Sequence, residues 1–241
     1  MTPAELRGVH HVTREAVRRG CTHAVFDLDH TLIQRSSVAL FVAEASREGW
    51  FSLWDKIKLP VFYLMYRSGR LGAETLEMNI PQLEGRSEED IRRLGEKSFR
   101  ERMLPAIFNA GQQIARSMRD AGMSIVIATT SLREFVLPFA EYFHADELVS
   151  SELAYQDGRA TGRLNGRACF GDEKRRRVEE LLQAGGHDLS SIVFFTDSAY
   201  DLPLFEAAGY AASVNPDRKL YQATRRLGRP ALRFKSLGAT T

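Results

Sequence analysis

Short continuous apolar runs and longer stretches with helical spacing follow one another along this chain in an informative order. "HAVFDLD" (23–29) reads as a buried strand, and the next comparable run, "MSIVIATT" (123–130), comes only after a long helix-like interval. That separation is too great for one βαβ crossover, so a helical insertion is expected between the two strands. Within it, residues 37–48 carry Val38, Leu40, Phe41, Val42 and Ala45 and stop before Gly49. Residues 51–68 form an aromatic-rich stretch ending before Gly69, and "SEED" (87–90) reads as a capping box that opens a helix reaching about Arg102. Pro105 is expected to start a further helix that ends near Gly122.

Beyond residue 123 strand and helix patterns alternate. "LREFVLPFAEYF" is helical, "ELVSSELAYQDGRATGRLNG" reads as strand and hairpin punctuated by Asp157-Gly158 and Asn165-Gly166, and "DEKRRRVEELLQA" is an amphipathic helix with Asp172 placed to cap it. "SIVFFTD" is then a buried strand, "AYDLPLFEAA" a short helix, and "YAASVN" a last strand before Pro216. Short apolar strands with intervening helices predict an α/β fold, a doubly wound parallel sheet with an inserted α-helical cap. The expected division is an N-terminal extension over 1–22, a core over 23–35 and 123–241, and a cap over 36–122. Such sheets bind ligands outside the carboxyl ends of their strands. Asp27, Asp29, Thr129, Thr130 and Asp197 all fall at such ends.

Composition narrows the class. With 241 residues, 44% hydrophobic and 27% charged, the chain can bury a sizeable core. A net charge of +2 gives no global case for a nucleic-acid partner. Cys21 and Cys169 stand far apart with no metal-ligand spacing, and the first twenty residues hold no apolar signal core, so a cytoplasmic protein with free thiols is expected. "LPVFYLMY" (59–66) falls short of the roughly 18 residues of a spanning helix. Lys56, Lys58, Arg67 and Arg70 flank it, and the expected reading is a cap helix with a solvated rim, contact with an anionic membrane surface being the minor alternative. His10 and His11, adjacent in sequence, cannot share a ligand and are assigned to an exposed extension.

In a strand, residues i and i+2 point to one side, so Asp27, Asp29 and Thr31 converge where the chain leaves the sheet. Two close carboxylates repel, and without a cation one of them is expected to hold a proton. Asp197 and Asp201 add acidity from a distant part of the chain, which suggests a hard-cation site of oxygen ligands suited to Mg²⁺. A carboxylate beside such an ion can attack phosphorus, and a neighbouring acid can protonate the leaving alcohol. Thr129, the backbone N–H groups at Thr130 and Ser131, and Lys174 would supply an anion cradle.

These motifs, taken in order, resemble the haloacid dehalogenase superfamily of phosphohydrolases. "FDLDHTL" is similar to its DxDxT motif, "IVIATTS" to its apolar strand ending in Ser or Thr, Lys174 in "FGDEKRRRV" to its lysine, and "FFTDSAYDLPLF" to its final acidic motif. The large insertion after the first motif, and "AYQDGRATGRLNG" before the lysine, resemble the phosphoserine-phosphatase-like branch, subfamily IB. The resemblance implies Asp27 as nucleophile, Asp29 as general acid and base, and Thr129, Thr130 and Lys174 as phosphate holders. It also implies Mg²⁺ on the Asp27 carboxylate, the Asp29 main-chain carbonyl and Asp197, with Asp201 supporting the metal or Lys174. The second aspartate of the first motif argues for phosphate rather than carbon–halogen chemistry. Three positions depart from the pattern: Thr196 stands where Gly is common, Tyr200 where Asn is common, and "QRSSVAL" carries no carboxylate where phosphoserine enzymes place one for the substrate amine. The expected activity is Mg²⁺-dependent hydrolysis of a small organic phosphomonoester through a phosphoaspartate. The alternatives are phosphoryl transfer, hydrolysis of a lipid phosphate reached through Lys56 to Arg70, or non-catalytic phosphate binding.

Overall fold

A computed structural model describes residues 1–50 and 80–235. The aromatic stretch 51–68 and its basic flanks lie outside the described residues, as does the alternative built on them.

Six strands form one parallel sheet in the order β3-β2-β1-β6-β7-β8, made of β1 (His23–Phe26), β2 (Ser124–Leu132), β3 (Glu147–Ser151), β6 (Ile192–Thr196), β7 (Tyr210–Val214) and β8 (Ala231–Leu232). Their residues divide by parity between two apolar layers, because successive side chains leave opposite faces. Ala24, Phe26, Ile125, Ile127, Val193 and Phe195 enter one layer; Val25, Val126, Ala128, Ile192 and Phe194 enter the other. Continuous apolar runs such as "SIVFF" are therefore required by a sheet covered on both faces.

The first layer is covered by α1 (Pro3–Arg18), α2 (Ser37–Arg47), α3 (Glu88–Ser98), α4 (Asn109–Asp120) and α5 (Arg133–Tyr142). The second is covered by α6 (Asp172–Ala184), α7 (Leu202–Ala207) and α8 (Arg218–Arg226). An antiparallel hairpin, β4 (Leu153–Gln156) and β5 (Arg159–Leu164), turns at Asp157 and Gly158, both with positive φ, as the Asp-Gly pair foretells. It ties the exit of the insertion to the core, since Ile80 N–H donates to Gly162 O at 2.6 Å and Gly85 N–H to Ala160 O at 2.8 Å.

Several expectations are corrected. Residues 1–22 are not an exposed extension: Thr2 and Glu5 form a capping box, and Val9, Val12 and Ala16, spaced on one helical face, are fully buried against α4 and the sheet. His10 and His11 do lie on the exposed face of that helix. The helix α4, expected as part of the cap, packs on β2 and α1 and so completes the sheet's own cover. It starts at Asn109 rather than Pro105, which sits in a 3₁₀ turn at Leu104–Ala106. "SEED" does open α3 with Ser87 as cap, and the helical path continues through a π turn at Phe99–Met103. Gly171 (φ +56°), not Asp172, occupies the cap position of α6, because the turn there needs a left-handed residue. "YAASVN" is not the last strand; Pro216 precedes α8, which returns the chain to β8.

The inserted helices meet the core through α5. Phe41 of α2 stacks on Phe135 of α5 with ring centres 3.5 Å apart. At Gly95 of α3 a Cβ would come within 2.2 Å of Glu134 O, so only glycine allows that approach.

Candidate active site

Register sets the site. Phe26 is paired with Ile127 on one side and Phe195 on the other, so Asp27 is the first residue beyond three aligned strand positions. Asp27 N–H donates to Phe195 O at 2.8 Å, which holds its side chain at the carboxyl edge of the sheet. The chain then turns tightly: Leu28 O accepts from Leu32 N–H, and His30 takes φ +59°, so Asp29 follows Asp27 into the same space. A cavity of about 520 Å³ opens there, lined by Asp27, Asp29, Thr129, Lys174, Asp197 and Asp201 among others. These six come from four separate segments of the chain.

Lys174 is the buried cation at its floor. The left-handed Gly171 directs the first turn of α6 under the sheet edge, where the ammonium donates to Asp27 Oδ1 at 2.9 Å and lies 2.8 Å from Asp201 Oδ1. Burial disfavours its charge, but Asp201 and Asp27 more than reverse that and hold it well above its ordinary value. Asp27 moves the other way. Burial pushes its carboxyl up to about 7; Lys174 pulls it down, while Asp201 and Asp29 push it further up. One ammonium thus serves two buried carboxylates, and the site has spare negative charge. The Asp29 carboxyl is also raised by burial, against the hydrogen bond Ser37 N–H donates to its Oδ1 at 2.8 Å.

The structure separates roles that the sequence left merged. Asp201, grouped with possible metal ligands, is taken up elsewhere: Thr196 Oγ1 donates to its Oδ2 at 2.7 Å, and Lys174 donates to the same oxygen at 3.0 Å. Among the described residues no group of three or more His, Cys, Asp and Glu side chains could hold a metal. Asp27, Asp29 and Asp197 all line the cavity and offer oxygen atoms, the donor type a hard cation takes. Thr129 is buried at the end of β2 and accepts from Ser131 N–H at 3.2 Å; Thr130 lines the cavity. Thr129 to Ser131 do not cap α5, because β2 runs on to Leu132 before the helix begins.

Sequence reasoning overlooked the side-chain contacts of five residues. Thr196 is not a neutral replacement for Gly, since its hydroxyl fixes Asp201 and accepts from Ser198 N–H at 3.2 Å. Ser151 Oγ donates to Thr130 O at 2.7 Å and accepts from Cys169 N–H at 2.9 Å, joining the phosphate-side strand end to the approach of α6. Ser37 and Ser131 hydroxyls meet at 2.6 Å across the insertion's entry. Asp217 clamps the acidic loop: its N–H donates to Asp197 O at 2.8 Å and its Oδ2 accepts from Ala199 N–H at 2.7 Å. Only the last left a readable signal, the Asp-x-x-Leu cap at the head of α8.

Comparison with known proteins identifies relatives in family and fold. Residues 24–206 match the family model described as haloacid dehalogenase-like hydrolase. An "inhibition of morphological differentiation protein" of Streptomyces azureus is 28% identical over 218 residues, 88% of this chain and 78% of the relative. A histidinol-phosphatase of Neisseria meningitidis is 26% identical over 218 residues, 88% and 98% of the two chains. A solved phosphoserine phosphatase carrying a phospho-aspartyl intermediate analogue superposes with a TM-score of 0.65 at 17% identity, covering 84% of this chain and 90% of that one.

Proposed function

The chain belongs to the haloacid dehalogenase-like hydrolases, as a phosphatase of that family, and we propose that it hydrolyses a small organic phosphomonoester through a phosphoaspartate on Asp27 with Mg²⁺ as cofactor. The observation that carries this reading is the buried Asp27–Lys174–Asp201 network at the floor of the cavity. A structural ion pair would be balanced, whereas here one ammonium faces two buried carboxylates, an excess of negative charge that a bound cation would complement.

The Asp27 and Asp197 carboxylates and the Asp29 main-chain carbonyl would hold the Mg²⁺. Its chemistry there is electrostatic: it offsets the repulsion between the nucleophile and an anionic phosphoryl group. Asp27 attacks phosphorus as the ester P–O bond breaks. Asp29, whose carboxyl is raised by burial, gives its proton to the departing alkoxide. The Asp29 carboxylate then removes a proton from the water that attacks the phosphoaspartate; phosphate leaves, Asp27 is regenerated and Asp29 is again protonated. Lys174 orients Asp27 and, with the Thr129 hydroxyl, meets the charge on the equatorial oxygens.

The described residues around the first motif favour a phosphate ester other than phosphoserine. Ser36 and Ser37, which follow the first motif, cap α2 and hold Asp29. The single carboxylate of α2, Glu44, is already occupied by Lys97 at 2.9 Å and Arg102 at 2.8 Å, so it cannot pair with a substrate amine. Phosphate release from a panel of amino-acid, sugar, nucleotide and lipid phosphates, with Mg²⁺ and with EDTA, tests the reading. Metal-dependent turnover that disappears in Asp27→Asn is expected; turnover that survives EDTA or the substitution would overturn it.

A further inference from the structure

Part of the cavity wall is basic, and the basic residues stand in an unfavourable place for the helix that carries them. Arg218 and Lys219 form the first turn of α8, are exposed, and line the same cavity as Asp27 and Thr129. The amino end of a helix carries partial positive charge, so acidic residues are favoured there and cations cost stability. This first turn has no acidic residue. The preceding Asp217 does not neutralise the pair, since its two carboxylate oxygens accept from main-chain donors, Leu220 N–H at 2.8 Å and Ala199 N–H at 2.7 Å. Among the described residues neither Arg218 nor Lys219 has an ion pair. At the other end of the same helix, where a cation is favoured anyway, Arg226 is paired with Glu206 at 2.7 Å. Lys174, the third cation lining the cavity, is ion-paired with Asp27 and Asp201. Two cations with no ion pair among the described residues, set against the helix dipole at the mouth of an anion-processing site, are a local cost that a bound anion would offset.

We infer that Arg218 and Lys219 form a subsite for a second anionic group of the substrate, so that the preferred phosphomonoesters also carry a carboxylate or a second phosphate. The inference rests on the phosphatase reading and narrows its substrate class. The guanidinium fork of Arg218 suits either anion, Lys219 adds a mobile point charge, and both raise the local concentration of a multiply charged ester. Asp217, by anchoring the start of α8 to Asp197 O and Ala199 N–H, fixes this subsite relative to the acidic loop.

The test compares kcat/KM, with Mg²⁺ present, for three esters of similar size: glycerol phosphate, phosphoglycerate and glycerol bisphosphate. The wild type is expected to favour the two with an anionic tail, and which of the two leads identifies the second group. In the double variant Arg218→Gln, Lys219→Gln that preference should shrink roughly tenfold, and in the wild type it should weaken with added salt. The thermal midpoint of the variant should stay level or rise, because cations are being removed from a helix amino end. An unchanged preference in the variant, or equal kcat/KM for all three esters in the wild type, would overturn the subsite. If the wild type turns over none of the three, the broader phosphomonoester panel decides the phosphatase reading, and calorimetric affinities of the same three for the protein decide the subsite: a roughly tenfold advantage for the anionic tails that the double variant loses supports it, and equal affinities refute it.

Discussion

Two buried carboxylate clusters in this molecule are built on opposite charge balances. Under α2 and α3, Glu44 is almost fully buried and surrounded by cations: Lys97 at 2.9 Å, Arg102 at 2.8 Å and Arg47 at 3.7 Å. Burial alone would raise its carboxyl, but the hydrogen bonds from Lys97 and Arg102 win and hold it below its ordinary 4.5. At the sheet edge the ratio is reversed, with Lys174 alone between Asp27 and Asp201, and Asp27 is driven up to about 7. The first cluster is satisfied and joins helices. The second is short of positive charge, which disfavours it as a structural device and equips it to receive a cation and a phosphoryl group.

Removing the excess charge should have the largest effect. Asp27→Asn is expected to lower phosphate release by a thousandfold or more, on the order expected for losing a covalent nucleophile, while circular dichroism stays native. Lys174→Met should follow, with a loss of roughly a hundredfold or more in kcat and a destabilisation of about 3–5 kcal/mol at neutral pH from two uncompensated buried carboxylates. That destabilisation should shrink as pH falls, since the Asp27 carboxyl, raised by burial in the fold, takes up a proton before it would in the unfolded chain. Urea unfolding at several pH values reads both parts.

Glu44→Gln probes the satisfied cluster and should separate stability from catalysis. It is expected to cost about 1–3 kcal/mol with turnover per folded molecule intact. The sign of its pH dependence is opposite. A carboxyl held below 4.5 in the fold contributes its full stability above that value and loses it as pH falls through the lower folded value. The gap between wild type and variant should therefore be constant near neutrality and close in acid. Asp217→Ala should be the mildest, about 1 kcal/mol for a lost helix cap and ~2–4 °C in thermal midpoint for a chain of this size. A conservative Asp217→Asn should recover most of it, because a side-chain amide oxygen can still accept from Leu220 N–H and Ala199 N–H.

Much of this was readable along the chain because strands buried on both faces must be continuously apolar and end abruptly. "HAVFDLD", "SIVIATT" and "SIVFFTD" announce β1, β2 and β6, and their last polar residues mark the site. The helix α1 was equally written in the spacing of Val9, Val12 and Ala16, but the charged residues between them hide it from a reading that looks for apolar runs. Pro216 looked like an end because proline stops a strand, yet it also starts helices, and α8 follows.

The sequence by itself determined the strands of the sheet and marked Asp27, Asp29, Thr129, Lys174 and Asp197 as candidates, since periodicity and residue chemistry are local properties. Only the tertiary structure decided which groups share a space. It gave Asp201 to Lys174 and Thr196, tied Asp29 to Ser37, clamped Asp197 with Asp217, and set Arg218 and Lys219 at the cavity mouth with no ion pair among the described residues. Charge balance is a sum over neighbours brought together by strand register from distant parts of the chain, and no spacing within a single segment records that sum.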